Sequence, residues 1–286
     1  MEEVSRHIVI RGLNMHYRLA EPEGPVKHRV FLLCAPGFLT SCWRLLVPEL
    51  TEAGCLCVMC EMPGFGRGQF KDDVPGEQGL RARYLWGVLD TVDLERDSKL
   101  GSWHLMAHGS ACGTIAAMAQ QQPDSSASLF MISPMLYSPI PKALEPAVRS
   151  KPFLMLLRGW IQRNIVPAKR FQRTLRKLYG REPSKTQAEA MHAPLLRLSS
   201  HEETVRRLLL EGFRVDTAGL GSLFMPCLIL WGGADRLLGG AIPKRLRRDY
   251  PSAEYHLLPS AGHCAMETNS RAVRDFLRGW IREYWS

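Results

Sequence analysis

Short apolar segments recur along the chain and alternate with segments of helical period. Six of them have the length and composition of buried strands: residues 30–34, 55–60, 103–107, 128–132, 227–231 and 254–258. Helical patterns lie between them, for example over residues 80–92 and 113–121. This alternation predicts an α/β fold, a mostly parallel sheet with helices on both faces. Two further alternating segments, 5–10 and 15–19, predict an antiparallel hairpin at the sheet edge and bring the expected sheet to eight strands.

One long region lacks strand-like segments. From Tyr137 to Arg214 the chain has helix-period sequence interrupted by frequent prolines. This pattern predicts a helical cap over residues 137–215, inserted between the two parts of an α/β core at 1–136 and 216–286.

Positive charge is concentrated in this predicted cap. Residues 142–214 contain 16 Lys and Arg against six Glu, a formal charge of +10, whereas the whole chain carries +9. Within it, residues 153–161 and 169–179 combine apolar and basic positions. Three interpretations are open: peripheral contact with an anionic membrane, recruitment of an anionic substrate, or a cap whose charges are merely solvated. Binding of nucleic acid is not expected, because no recognition motif is present.

Composition excludes several other classes of protein. A chain of 286 residues that is 45% hydrophobic and 23% charged is globular rather than disordered or fibrous. No secretory signal is visible, and no apolar run approaches the ~20 residues of a membrane-spanning helix, so we expect a cytoplasmic protein. The closely spaced Cys55, Cys57 and Cys60 lie in a predicted buried strand without a second cysteine pair, so we expect neither a metal nor a cofactor.

The most informative chemical pattern pairs an aspartate with a histidine. Asp235 follows the predicted strand Cys227–Trp231 in a Trp-Gly-Gly-Ala-Asp sequence, and His263 follows the next strand in a Gly-His turn. Parallel sheets form their sites at the carboxyl ends of strands, so the two side chains are expected to meet. A buried carboxylate would fix the tautomer of the imidazole and stabilise its protonated form. The alternative is that Asp235 caps a helix and His263 is an ordinary turn residue.

Two glycine turns upstream complete a family pattern. With the segments Pro36-Gly37-Phe38 and Glu61-Met-Pro-Gly-Phe-Gly-Arg67, the chain resembles the α/β-hydrolases of the lipase, esterase and C–C hydrolase type with a helical cap. The resemblance covers nearly the whole chain. It implies that the backbone N–H of Phe38 contributes to an oxyanion hole, although proline replaces the family's histidine before Gly37 and Glu61 replaces its usual aspartate.

The nucleophile of this family lies in a Gly-x-Ser-x-Gly turn, and two registers are possible here. With Ser110 at the turn, the residues two positions away are His108, which is bulky, and Cys112. With Gly109 at the turn, they are Ala107 and Ala111, which fit, but the nucleophile is missing.

Because an Asp–His pair has little use without a hydroxyl to activate, we predict that Ser110 is the nucleophile, His263 the base and Asp235 its orienting partner. Ala111, the residue after this nucleophile, would then be the second oxyanion donor. Cys112 is a weaker candidate, and His108 is interpreted as a core residue.

The sequence thus predicts a serine hydrolase that cleaves a small or medium carboxylic ester or a related C–C substrate. The residues expected to line an apolar pocket for an acyl or aromatic substrate are Met135, Leu136, Met155 and Leu238. A second hypothesis belongs to another class: a hydrolase-fold protein without turnover that binds a ligand or partner, with Gly109 in place of the nucleophile.

Overall fold

A computed structural model provides the fold. The structure describes residues 3–68, 76–96, 101–137, 140–180, 182–199, 206, 210, 217–238 and 241–285.

Eight strands form one sheet. They are β1 (Glu3–Ile10), β2 (Leu13–Ala20), β3 (His28–Leu33), β4 (Cys55–Cys60), β5 (Trp103–His108), β6 (Ser126–Ile132), β7 (Cys227–Gly232) and β8 (Glu254–Leu258). Their order across the sheet is β1-β2-β4-β3-β5-β6-β7-β8. β2 pairs antiparallel with β1 and with β4, and all other pairs are parallel. The prediction of a mostly parallel eight-stranded sheet that begins with a hairpin is confirmed.

The described helices are α1 (Val47–Glu52), α2 (Gln78–Arg96), α3 (Ala111–Gln121), α4 (Glu145–Arg149), α5 (Lys151–Asn164), α6 (Ala168–Tyr179), α7 (Lys185–Ser199), α8 (Thr217–Leu220), α9 (Ala241–Asp249), α10 (Ala265–Thr268) and α11 (Ser270–Tyr284). Helices α4 to α7 lie between β6 and β7, in the region where the sequence predicts an insertion. The secondary structure described between those two strands is helical.

The central strands are buried along their whole length. Every residue of β4, β5 and β7 is buried, as expected for parallel strands covered on both faces. All eight cysteines are buried free thiols in this core. Burial raises the pKa of each of these thiols, to about 12 for Cys55 and Cys227, so they pack as small apolar residues.

Candidate active site

Asp235 and His263 meet at the carboxyl ends of β7 and β8. The His263 Nδ1–H donates to Asp235 Oδ2 over 2.8 Å, and both side chains are almost fully buried. Asp235 Oδ1 accepts the backbone N–H groups of Leu237 at 2.9 Å and Leu238 at 3.1 Å. The carboxylate is therefore fixed on both oxygens, and it leaves Nε2 as the basic nitrogen of the imidazole.

Close packing between two loops explains the glycines beside this pair. A Cβ at Gly232 would lie 2.4 Å from the Gly262 carbonyl oxygen, and a Cβ at Gly233 would lie 2.7 Å from that of Pro259. Backbone contacts of this kind leave no room for a side chain at either position. The Trp-Gly-Gly sequence at the end of β7 thus lets the loop that carries His263 pack closely against the loop that carries Asp235.

Gly109 occupies the sharp turn between β5 and α3. Its φ of +60° lies in the left-handed region, whereas Ser110 has ordinary helical geometry at φ −69°. A Cβ built on Gly109 would lie 3.3 Å from His263 Nε2 and 3.6 Å from the Ala35 Cβ. The turn therefore brings the Cβ position of residue 109 close to the nitrogen of the histidine that does not bond Asp235.

Ser110, the predicted nucleophile, is the next residue along. It is buried, with 5% of its surface exposed, and its side chain does not cap α3. Within the described residues its hydroxyl forms no hydrogen bond with His263, whose side chain is bonded to Asp235. Its role as nucleophile stays a prediction. Its hydroxyl forms no capping hydrogen bond with the backbone at the start of α3.

Two backbone N–H groups at the start of α3 have no acceptor among the described residues. They belong to Ser110 and to Ala111, the predicted second oxyanion donor, whereas the following amides of Cys112 and Gly113 bond back into the turn. The expected donor on the other side of the site differs from the prediction. The Phe38 N–H donates to the Ala35 carbonyl over 3.0 Å, because Gly37 at φ +90° closes a tight turn.

His108 lies in the core beside the catalytic candidates. Its Nε2–H donates to the His263 carbonyl over 3.1 Å, and its ring packs edge-on against the rings of His263 at 4.6 Å and Phe38 at 5.0 Å. Burial, and then the nearby His263, holds the pKa of His108 well below its usual value, so the ring is neutral. The contact supports the loop that carries the base, in keeping with the expected core position.

The predicted pocket residues divide into two groups. The Met135 N–H donates to the Gly109 carbonyl over 3.0 Å, and Leu238 contacts Asp235, so both border the site; Leu136 follows Met135 and is buried. Met155 differs from the prediction. It lies on the outward side of α5 with 64% of its surface exposed, because that helix buries the side of Leu154 instead.

Sequence reasoning did not find the contact between the base and the helical insertion. The His263 N–H donates to the Leu178 carbonyl near the end of α6 over 3.0 Å, and a Cβ at Gly262 would lie 2.8 Å from the same oxygen. Any residue type can supply a backbone carbonyl, so the sequence does not reveal this contact. Only the glycine at position 262 could have suggested that another backbone approaches this loop closely. Beside it, a small cavity between core and insertion is lined by Phe38, Arg44, Tyr179, Met191 and Glu267.

A second hydrogen-bonded group that the sequence did not suggest lies at the other end of the sheet. The Ser5 Oγ is 2.8 Å from His16 Nε2, and His16 Nδ1 is 3.1 Å from Glu61 Oε2. Glu61 also accepts the Arg67 N–H over 2.7 Å. These contacts fasten the loop after β4 to the edge hairpin, which gives Glu61 a structural role.

Within the described residues, no group of three or more His, Cys, Asp or Glu has the arrangement of a metal site. The described helices also include none with the length and apolar character needed to cross a bilayer.

Known proteins share this architecture. A curated 2-hydroxy-6-oxononadienedioate/2-hydroxy-6-oxononatrienedioate hydrolase of Cupriavidus pinatubonensis is 24% identical, over 96% of this chain and 95% of its own length. Among solved structures, a membrane phospholipase A has a TM-score of 0.76 at 18% identity and covers 98% of this chain and 86% of its own. The 2-hydroxy-6-oxo-6-phenylhexa-2,4-dienoate hydrolase of a Rhodococcus species has a TM-score of 0.76 at 17% identity and covers 98% and 99%.

The model of the alpha/beta hydrolase family matches residues 32–276, which include the strand-to-helix turn at Gly109 and both members of the Asp235–His263 pair. The chain therefore belongs to the alpha/beta hydrolase family.

Proposed function

We propose that the protein hydrolyses an acyl bond, and that His263, oriented by Asp235, activates a water molecule held over Gly109. One observation carries this proposal. The space in which a nucleophilic side chain would stand is present, 3.3 Å from His263 Nε2 at the Cβ position, and glycine leaves it free. An oxygen in that space is within reach of a base whose other nitrogen is bonded to a buried carboxylate.

The proposed hydrolysis proceeds without a covalent bond between enzyme and substrate. The water oxygen attacks the substrate carbonyl while its proton passes to His263 Nε2, and the resulting oxyanion accepts hydrogen bonds from the free N–H groups of Ser110 and Ala111 at the start of α3. The bond to the leaving group then breaks, and His263 returns the proton to that group. Hydrolysis of an ester gives a carboxylic acid and an alcohol. Cleavage of a carbon–carbon bond gives a carboxylic acid and a ketone.

The substrate class follows from two considerations. Met135 and Leu238 are apolar residues whose backbone amides bond Gly109 and Asp235, and apolar neighbours of this kind favour an acyl or aromatic group over a sugar. The relative from Cupriavidus is named for the hydrolysis of an oxo-dienedioate, so a carbon–carbon substrate belongs beside a carboxylic ester in the first panel of compounds.

The prediction that Ser110 is an acyl-accepting nucleophile gives the second form of the proposal. It is favoured by the uncommitted Ser110 hydroxyl, one residue from the turn. The third form of the proposal is a protein that binds a ligand without turnover. Only the glycine at position 109 favours it.

Three variants separate these forms. We expect His263→Ala and Asp235→Asn to lower kcat/KM on p-nitrophenyl esters or oxo-dienoates by roughly 10²- to 10⁴-fold, because both disturb the base. In the water mechanism, Ser110→Ala retains activity within about tenfold and a fluorophosphonate probe leaves Ser110 unlabelled. Loss of activity in Ser110→Ala together with labelling of Ser110 would establish the acyl-enzyme form. Unchanged turnover in His263→Ala, or no turnover of any compound by the folded protein, would contradict the proposal.

A further inference from the structure

Helix α5 carries an apolar stripe on its outward side. Phe153, Leu156 and Trp160 are spaced at i, i+3 and i+7, so their side chains line up along one side of the helix. They are 36%, 74% and 56% exposed. A leucine and a tryptophan that are both more than half exposed on one short helix form a contiguous apolar patch, which is the usual mark of an interaction surface.

The helix already has a separate side that packs on the protein. Leu154 is buried, and Leu157 and Ile161 are half-buried on the same side. The outward stripe is therefore not needed to attach α5 to the rest of the described chain. A surface helix ordinarily presents polar residues on its solvent-facing side. The apolar stripe on α5 is therefore expected to contact a partner.

Positive charge predominates around the stripe. Residues 146–181 contain ten Lys and Arg and no Asp or Glu. Lys151 and Arg163 flank the stripe on α5, and Lys169 follows at the start of α6; all three are exposed. The Arg170 guanidinium donates to the Arg163 carbonyl at 2.7 Å and the Asn164 Oδ1 at 2.8 Å, which fixes the start of α6 against the end of α5.

Helix α6 extends the basic surface. It buries Phe171, Leu175 and Tyr179 at i, i+4 and i+8. Its opposite side is basic and exposed, with Lys169, Arg173, Arg176 and Lys177, of which Arg176 forms an ion pair with Glu182 over 3.2 Å. The exposed side of the insertion thus combines apolar side chains on α5 with cations on both helices, which is the composition of a surface that lies in a membrane interface.

We propose that this surface, the α5 stripe with its surrounding Lys and Arg, docks onto an anionic lipid bilayer. Charge complementarity indicates that the partner of this surface is anionic lipid. The excess of cations over residues 146–181 attracts a negatively charged headgroup layer, and each basic side chain near such a surface strengthens binding about fivefold. A second copy of the chain would bring like charges together, which opposes self-association through this surface.

The docking surface is connected to the candidate active site through α6. The Leu178 carbonyl near the end of α6 accepts the His263 N–H, so the helix next to α5 touches the loop of the base. The inference concerns binding and does not depend on turnover, so it can hold or fail separately from the proposed hydrolysis.

Vesicle flotation tests the proposal with the full chain. We expect the protein to float with vesicles of phosphatidylcholine and phosphatidylglycerol at low salt, and its partition coefficient to be at least tenfold lower with phosphatidylcholine alone. In 1 M NaCl, where charges are screened beyond about 3 Å, binding to the anionic vesicles should fall by a similar factor. Leu156→Glu should lower the coefficient at least about tenfold, because it places a charge in the apolar stripe. The matched control is Leu257→Glu on β8, at a site of similar exposure (58%), and it should bind like the parent.

A second pair of variants tests the cations. The double change Arg163→Glu with Lys169→Glu should weaken binding at least about 25-fold, whereas Arg271→Glu, an exposed cation on α11, should change it far less. Circular dichroism verifies that the variants are folded. Absence of flotation at low salt, or equal loss in Leu156→Glu and Leu257→Glu, would overturn the proposal. A concentration-dependent dimer that Leu156→Glu abolishes would identify a second copy as the occupant instead.

Discussion

The backbone amide of His263 donates to the carbonyl of Leu178, 3.0 Å away, so the candidate base is held by a helix of the insertion as well as by its own loop. Three contacts fix this residue: the Asp235 carboxylate at Nδ1, His108 at its carbonyl and Leu178 at its amide. A movement of α6 would therefore be transmitted directly to the imidazole.

Gly262→Ala tests this connection. The added methyl group would lie 2.8 Å from the Leu178 carbonyl oxygen, so α6 and the loop must separate. We expect a loss of about 1–3 kcal/mol in the free energy of unfolding and a lower kcat, measured by urea denaturation and ester hydrolysis. The control is Gly279→Ala on α11, where nothing lies within 4 Å and the change should be neutral or slightly stabilising. Equal effects at the two positions would show that the contact is not important.

Gly109→Ser would place a hydroxyl in the space facing His263 Nε2. We expect a fluorophosphonate probe to label position 109 in this variant, as located by mass spectrometry, and labelling to disappear when His263→Ala is added. Gly109→Ala is the control, since it adds the same Cβ without a nucleophile. Both should lose roughly 1–2 kcal/mol of stability, because a side chain is strained at a φ of +60°. Failure of Gly109→Ser to react would mean that the turn does not orient this position as a nucleophile.

The buried His104 should make the free energy of unfolding of the protein depend on pH. It stacks on Trp285 with ring centroids 3.8 Å apart, and burial lowers its pKa to about 3. In the unfolded chain the imidazole takes up a proton below about pH 6.5, whereas the folded protein resists it, so stability should fall as the pH drops from 6.5 towards 3. We expect this residue alone to lower the stability by about 2.5 kcal/mol between pH 7 and pH 4.5.

The measurement for His104 is urea denaturation across that pH range, comparing the parent with His104→Phe. The variant loses the 2.9 Å hydrogen bond to Ser128 at every pH, but its stability should decline less steeply below pH 6.5. Parallel curves for the two proteins would refute the assignment.

Glu61→Ala should destabilise the edge of the sheet. The carboxylate accepts hydrogen bonds from buried His16 and from the Arg67 amide, so its removal leaves both without an acceptor. We expect a loss of about 1–3 kcal/mol in thermal or urea denaturation. Glu52→Ala, at an exposed glutamate, should change stability by less than about 0.5 kcal/mol. A loss no greater than that of Glu52→Ala would show that the hydrogen bonds of Glu61 do not stabilise the fold.

The sequence by itself determined the sheet and the acid–base pair. Short continuous apolar runs such as Cys55–Cys60, alternating with helical segments, are typical of strands covered on both faces, and the observed β4 has those bounds. The positions of Asp235 and His263 after consecutive strands were enough to predict that they meet, because carboxyl ends of parallel strands share one edge.

The tertiary structure alone decided which residue the turn directs at the base. Two registers fit the sequence near residue 109, since local sterics and local chemistry favour different ones. The sign of φ at Gly109 and the 3.3 Å approach to His263 Nε2 depend on how β5, α3 and the loop after β8 pack together. The same holds for the outward side of α5 that carries Met155 and for the carbonyl of Leu178 on His263, because burial and backbone contacts are set by long-range packing and not by residue type.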